Sequence, residues 1–296
     1  MDNFREIIKK IGEELDIKVT LLSDNWVFAL EKNNEIHYIQ GYKFDLNNHG
    51  IGNIIDDKGL FNDLMKYKDL PTIEQIGFYQ VYDKDIVLDY FNKYKKIIVK
   101  GNIGTCGENV YLVTNEDELF NKIDYLLTKQ NSISIEPYYD IKNEYRVILL
   151  NKEVKIIYGK ERPVVIGDGK KTIGELAIEF NEYFLHKKVK DSLYVPKLGE
   201  KVELDYRYNL SQGARLFLDI DNELKNKLID IAKRVTSTLN INFASVDIIH
   251  TTDNKLLVLE ANSGVMMDNY IRLCPNGYQN AYNVYLEAIK LMFNMK

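Results

Sequence analysis

Cysteine and histidine are scarce in this chain, as are proline and long apolar runs. Cys106 and Cys274 are the only cysteines in 296 residues, and the four histidines, His37, His49, His186 and His250, are scattered. Two cysteines cannot build a disulfide framework, and no Cys/His spacing suits structural zinc. Cys106 sits in a glycine-rich loop and is assigned no catalytic role. No apolar run approaches the ~18–20 residues of a membrane span. The opening MDNFREIIKKIGEELD mixes acids and bases without the apolar centre of a secretion signal, so cytoplasmic residence is the default expectation. An excess of positive charge is also missing. The net charge of −5 argues against a nucleic-acid partner, yet leaves room for a local basic pocket that takes small anions. With 45% hydrophobic and 28% charged residues, no repeat and no Pro-rich linker, the chain reads as a soluble globular protein of two or three subdomains.

What is present is most informative in FASVDIIHTTDNKLLVLEAN, residues 243–262. Residues 243–250 and 255–261 are rich in Val, Ile, Leu and Phe, and Thr-Thr-Asp-Asn between them has turn composition, which predicts two paired strands. A turn centred on Thr252 and Asp253 sets Asp247 opposite Val258. Glu260 is then its diagonal neighbour at roughly 7–8 Å, and Asn262 shares the face. Two carboxylates and an amide on one face suit Mg²⁺ bound together with phosphates. A hairpin with one wet face accounts for the same residues.

Earlier in the chain, the strand-like IIVK at 97–100 ends in Lys100 and runs into GNIGTCGENV, with Gly101, Gly104 and Gly107. Glycines at such a bend let backbone amides approach phosphate oxygens, and lysine adds a compact positive charge. The loop lacks the Gly-Lys-Ser/Thr ending of a P-loop and leads into a strand rather than a helix. Taken alone, such a Gly-rich β-hairpin is more often merely a turn. The wider pattern gives a helix over 4–15 and strands at 18–22, 26–31 and 35–40. A helix over 57–67 follows, then one capped by Thr114 and reaching Lys129, a Thr172-x-x-Glu175 capping box opening a helix to Phe184, and helices over 222–239 and 279–293. Residues 1–70 are expected to form an N-terminal α/β subdomain, 71–134 a central lid subdomain with the Gly-rich loop, and 135–296 a C-terminal subdomain carrying the hairpin. The 21 tyrosines, among them Tyr138, Tyr139, Tyr206 and Tyr208, read as biased composition rather than as a pocket.

IQG at 39–41, DDKGLFNDLMKYKDLPT at 56–72, IIVKGNIGTCGENV at 97–110, IEPYYDIKNEYRVILL at 135–150, RPVVIGDGKKTIGEL at 162–176, NLSQGA at 209–214, and VDII with VLEANSGV follow one another in order. This order resembles the ATP-grasp superfamily, within it the amino-acid ligases related to cyanophycin synthetase and the bifunctional glutathione synthetases. The likeness covers roughly residues 38 to 290. It implies an α+β ATP-grasp fold of three subdomains, with nucleotide held between two α+β units, and ATP-dependent carboxylate–amine ligation through an acyl phosphate, releasing ADP and phosphate.

The same resemblance implies that Lys58 and Lys100 hold the nucleotide phosphates under the Gly-rich loop. Glu136, Tyr138 and Tyr139 would hold the adenine edge and Glu144 the ribose. Asp247, Glu260 and Asn262 would take two Mg²⁺ ions, with Mn²⁺ an alternative. Arg146, Arg162 and Arg215 would neutralise the transferring phosphoryl group or orient a substrate carboxylate, and Asn209, Ser211 and Gly213 would line the acceptor side. Ser245 stands where many relatives carry an arginine, so Arg215 is expected to supply that charge. NSGVMMDN replaces the Asn-x-x-Pro-Gly that often follows the metal glutamate. The extra domains of cyanophycin synthetase and the bifunctional enzymes do not fit within 296 residues. Amino acids, a short peptide or a carrier-bound acyl group are the candidate substrates, and a homo-oligomer is a prior drawn from relatives. A nucleotide-binding sensor or scaffold that has lost ligation is the alternative.

Overall fold

Apolar residues Phe4, Ile7, Ile8 and Ile11 form one buried stripe of helix α1 (Asp2–Leu15), spaced to lie on a single helical face. The computed structural model describes residues 2–104 and 109–295; Cys106 and Gly107 lie outside the described residues. After α1 comes an antiparallel meander, β1 (Lys18–Leu22), β2 (Val27–Lys32), β3 (Glu35–Gln40) and the short β4 (Lys43–Phe44). Helices α2 (His49–Asp56) and α3 (Lys58–Tyr67) lead to β5 (Ile76–Tyr79), α4 (Lys84–Tyr94), β6 (Ile97–Gly101), β7 (Val110–Val113), α5 (Glu116–Leu127) and β8 (Ser132–Pro137). These strands make a second antiparallel sheet in the order β5-β8-β6-β7.

The remaining strands are β9 (Ile141–Leu150), β10 (Glu153–Glu161), β11 (Val164–Ile166), β12 (Lys201–Glu203), β13 (Arg215–Phe217), β14 (Phe243–Thr251) and β15 (Leu256–Asn262). Five of them form a sheet in the order β13-β10-β9-β14-β15, while β11 pairs with β12. Helices α6 (Ile173–Phe180), α7 (Asn222–Thr238), α8 (Asp268–Leu273) and α9 (Gly277–Met292) complete the chain. One face of the five-stranded sheet packs Ile148, Leu150, Ile156 and Phe243 against α1, α9 and the first sheet. The other face packs Val147, Leu149, Val246 and Ile248 against α7, α2 and α3. Both faces are therefore apolar over most of their area, as expected of a central sheet sandwiched by helices. Among the described residues, no helix is long and apolar enough to cross a membrane.

Several boundaries differ from the sequence expectation. The cap of α5 is Asn115, whose side chain accepts from Glu118 N at 2.9 Å, because asparagine caps at least as well as the preceding Thr114. The capping box at Thr172 and Glu175 forms, but α6 stops at Phe180; Asn181 turns extended and caps a separate 3₁₀ turn at Glu182–Leu185. Helix α2 was masked by its glycines, Gly50 and Gly52, and is started by Asn48. In the hairpin, Asp247 pairs directly with Glu260 and Ile248 with Val258, so a bulge at Leu259 moves the register. The predicted diagonal neighbours are thus directly opposite, and the bulge re-aims Glu260 without taking it off the Asp247 face.

Candidate active site

The alternation of β14 places Ser245, Asp247 and Ile249 on the face that also carries Phe243. Register then lines up a row across four strands: Glu260 on β15, Asp247 on β14, Arg146 on β9 and Tyr158 on β10. The adjacent row is Ile249, Glu144 and Lys160. A face that is core at one end therefore becomes densely charged at the other. Asp247 is 1% exposed, and a buried carboxylate needs partners. Arg146 supplies a two-pronged one, Nε to Oδ1 at 2.8 Å and Nη2 to Oδ2 at 2.5 Å, with Lys160 Nζ 3.3 Å from Oδ1. Lys160 also binds Glu144 tightly.

Burial raises the Asp247 carboxyl, but Arg146 and Lys160 outweigh it and hold the group down at about 2. Glu144 goes the other way, pushed up chiefly by loss of water, with the nearby Asp247 charge adding to it against Lys160. Glu260 is lowered: burial opposes ionisation, and Lys58 and Lys100 overcome it.

Across the cavity, β6 and β8 present Lys100 and Glu136, an ion pair buried to 4% and 7% exposure. Lys58 opens α3, where Asp57 is the cap. Its ammonium donates to Gly104 O at 3.0 Å and lies 3.7 Å from Glu260 Oε2, so it spans from the Gly-rich loop to the hairpin. These walls enclose a cavity of about 510 Å³, within the size range of small-molecule sites. One end is lined by Ile98, Tyr138, Tyr139 and Leu259, the middle by the charged rows, and the far end by Trp26, Tyr42 and Met266.

No protein-family model matches the chain. The glutathione biosynthesis bifunctional protein of Clostridium perfringens is 21% identical over 291 residues, covering 89% of this chain and 37% of that protein. Among solved structures, a bifunctional glutathione synthetase from Pasteurella multocida matches with a TM-score of 0.57 at 16% identity, over 96% of this chain and 44% of that one. A D-alanine–D-alanine ligase from Bacillus anthracis matches at 0.55 and 15% identity, over 82% and 67%. The chain has the ATP-grasp fold. It spans less than half the length of the two glutathione-synthesis relatives.

Of the residues singled out from sequence, the fold brings Lys58, Lys100, Gly101, Gly104, Glu136, Tyr138, Tyr139, Glu144, Arg146, Arg162, Asn209, Asp247, Glu260 and Asn262 to one cavity. Arg215 is not among them. It lies exposed on the edge strand β13 with its guanidinium 4.4 Å over the Phe180 ring, so the charge expected from it beside Asp247 comes from Arg146 and Lys160. Ser211 and Gly213 also miss the cavity wall. Ser211 donates to Asn209 Oδ1 at 2.8 Å, and Gly213, at φ +91°, packs under Phe184; both shape the turn that presents Asn209. Arg162 bonds Tyr138 at 2.9 Å and Glu203 at 3.2 Å and stacks on Tyr208, which sets it at the apolar end rather than beside Glu260. The missing Cβ of Gly101 leaves room for the Gln130 amide, which a side chain there would overlap. Tyr138, Tyr139, Tyr206 and Tyr208 all line the cavity, against the compositional expectation.

Lys160, Tyr158, Trp26 and Arg207 also line it and were not anticipated. Lys160 had a signal: in VKIIYGK it continues the buried face of Ile156 and Tyr158 at period two, where lysine is out of place without a partner. Replacing it by methionine strips a partner from two buried carboxylates. Lys160→Met is expected to lose about 3–5 kcal/mol of stability, and Lys160→Met/Glu144→Gln to regain part of it in urea melts.

The donor set can be tested against Mg²⁺. Among the described residues no three His, Cys, Asp or Glu side chains group as a closed metal cage. Glu260 faces the cavity with Asn262 donating to it at 3.2 Å, and Asp247 Oδ2 accepts from Arg146 Nη2. Two ionised carboxylates and an amide oxygen fit a hard cation that completes its shell with phosphate oxygens and water.

Proposed function

We propose that the chain is an ATP-dependent carboxylate–amine ligase joining amino acids or short peptides, with ADP and phosphate as by-products. The observation that carries this is one cavity that gathers the carboxylates of Asp247 and Glu260, on paired strands, with the ammonium groups of Lys58 and Lys100. Carboxylates and ammonium groups gathered in one cavity suit a polyphosphate carried with its divalent ions. The ATP-grasp fold and the ligases that share it support the same reading, as does a matching Bacillus anthracis ligase complexed with ATP.

In this reading Lys58 and Lys100 hold the phosphates, with residues 71–134 acting as the lid. Asp247, Glu260 and Asn262 would hold two Mg²⁺ ions, or Mn²⁺, which shield phosphate charge when bound. The adenine sits between Glu136, Tyr138, Tyr139 and the apolar lining from Ile98 and Leu259. A substrate carboxylate oxygen attacks the γ-phosphorus as the bridging bond to ADP breaks. An amine nitrogen then attacks the acyl carbon, phosphate leaves, and the amine proton goes to solvent or phosphate. No protein nucleophile is required. The chain positions the reactants and supplies charge, with Arg146 and Lys160 keeping Asp247 ionised and in place.

Purified protein incubated with MgATP and pooled amino acids is expected to release ADP only when amino acids are present, with a new condensed mass. AMP and pyrophosphate would contradict the acyl-phosphate route. MgATP binding without any turnover would favour the sensor or scaffold.

A further inference from the structure

The cavity extends past the charged rows to a wall that the proposed phosphate chemistry does not use. Gly264, two residues beyond Asn262, is bridged to Lys43, and Val265 N donates to Tyr42 O at 3.1 Å. The hairpin end is thus joined to the first sheet, and Trp26 stands beside that junction. Gly41 is left-handed at φ +60°, and a Cβ there would come within 2.7 Å of the Trp26 ring, so the indole lies directly on the Gly41 backbone. Trp26 follows three consecutive left-handed residues, Ser23, Asp24 and Asn25, at φ 51°, 52° and 66°. Left-handed non-glycine residues normally occur singly, so a run of three is strain maintained at the base of this side chain. The indole is nevertheless 48% exposed and lines the cavity with Tyr42, Met266 and Asn269.

We propose that this end is an amino-acid side-chain subsite with the Trp26 indole as its floor, selecting an apolar or aromatic side chain; it rests on the ligase reading. The charge nearby decides the class. Lys43 lines the same space. Its ammonium is already neutralised by Asp56 at 2.5 Å, and Asp56 is fixed by Ser263 N at 2.9 Å and Oγ at 2.7 Å. An acidic side chain therefore gains little from Lys43, and a cationic one finds Asp56 already paired. Trp26 and Met266 are left as the surfaces a ligand can cover, and aromatic faces favour flat apolar groups.

Trp26 is the sole tryptophan of the chain, so emission excited at the indole band reports this position alone. The full chain, saturated with MgADP, is titrated with phenylalanine, leucine, aspartate and lysine. Phenylalanine and leucine are expected to change the emission saturably, and aspartate and lysine to leave it unmoved. Trp26→Ala is expected to raise KM for phenylalanine in ADP release about tenfold or more with a smaller effect on kcat, and Trp26→Phe to recover most of the loss. If apolar amino acids drive ADP release while the emission stays constant, the ligase reading survives and the subsite is overturned. A response only to aspartate or lysine also overturns it. A saturable phenylalanine response without any amino-acid-dependent ADP release keeps the subsite and sinks the ligation.

Discussion

Glu260→Gln is expected to cut ADP release on the order of a thousandfold, ~4 kcal/mol of transition-state stabilisation, and to leave the melting temperature near that of the parent. Glu260 is a half-buried group on the cavity wall whose bonds run to Asn262 at 3.2 Å and, more loosely, to Lys58 at 3.7 Å. Its neutral isostere keeps the shape and removes one negative charge from the proposed metal and phosphate site. Asp247→Asn makes the contrast. Its carboxylate is the shared anchor of Arg146 and Lys160, so the amide leaves a buried guanidinium and ammonium short of charge. That substitution is expected to lose turnover and about 3–5 kcal/mol of stability together. Turnover and chemical denaturation of both variants separate the two roles, and a fully active Glu260→Gln would remove the glutamate from the chemistry.

Lys100→Ala is the second large effect. The lysine is 4% exposed and paired with Glu136, so its removal both takes a positive charge from the proposed phosphate site and strands a buried carboxylate. KM for ATP is expected to rise by about tenfold or more, the equivalent of ~1.4 kcal/mol, with a marked drop in stability. The double variant Lys100→Ala/Glu136→Gln separates these consequences. It should regain stability without regaining ATP use, because only the stranded carboxylate is repaired. A normal KM in the single variant would mean that Lys100 serves the Glu136 pair and nothing else.

The hairpin was legible because its information is local: two apolar strands, a polar turn, and acids at alternate positions. Its register was not, since the bulge at Leu259 depends on how β15 meets β14 rather than on any residue type in the turn. Lys100 was legible at the end of an apolar strand that meets a Gly-rich loop and Lys58 through the order of motifs, whereas Lys160 required knowledge of which strand lies beside β9. Arg215 failed for the same reason: a guanidinium was needed beside Asp247, and sequence could not show that Arg146 already reaches it from the neighbouring strand. Trp26 reaches the cavity through a left-handed turn and a glycine fifteen positions away, a tertiary fit that periodicity does not encode. Helices with ordinary caps and apolar stripes, such as α1 and α7, lay within a residue or two of their expected spans.

The most direct test is isotope transfer from a substrate whose carboxylate carries oxygen-18, incubated with the protein, MgATP and an amine acceptor. One labelled oxygen is predicted to appear in the released inorganic phosphate, since the attacking carboxylate oxygen leaves with phosphorus when the amide forms. Label in AMP, or phosphate released without label, would contradict an acyl-phosphate ligase.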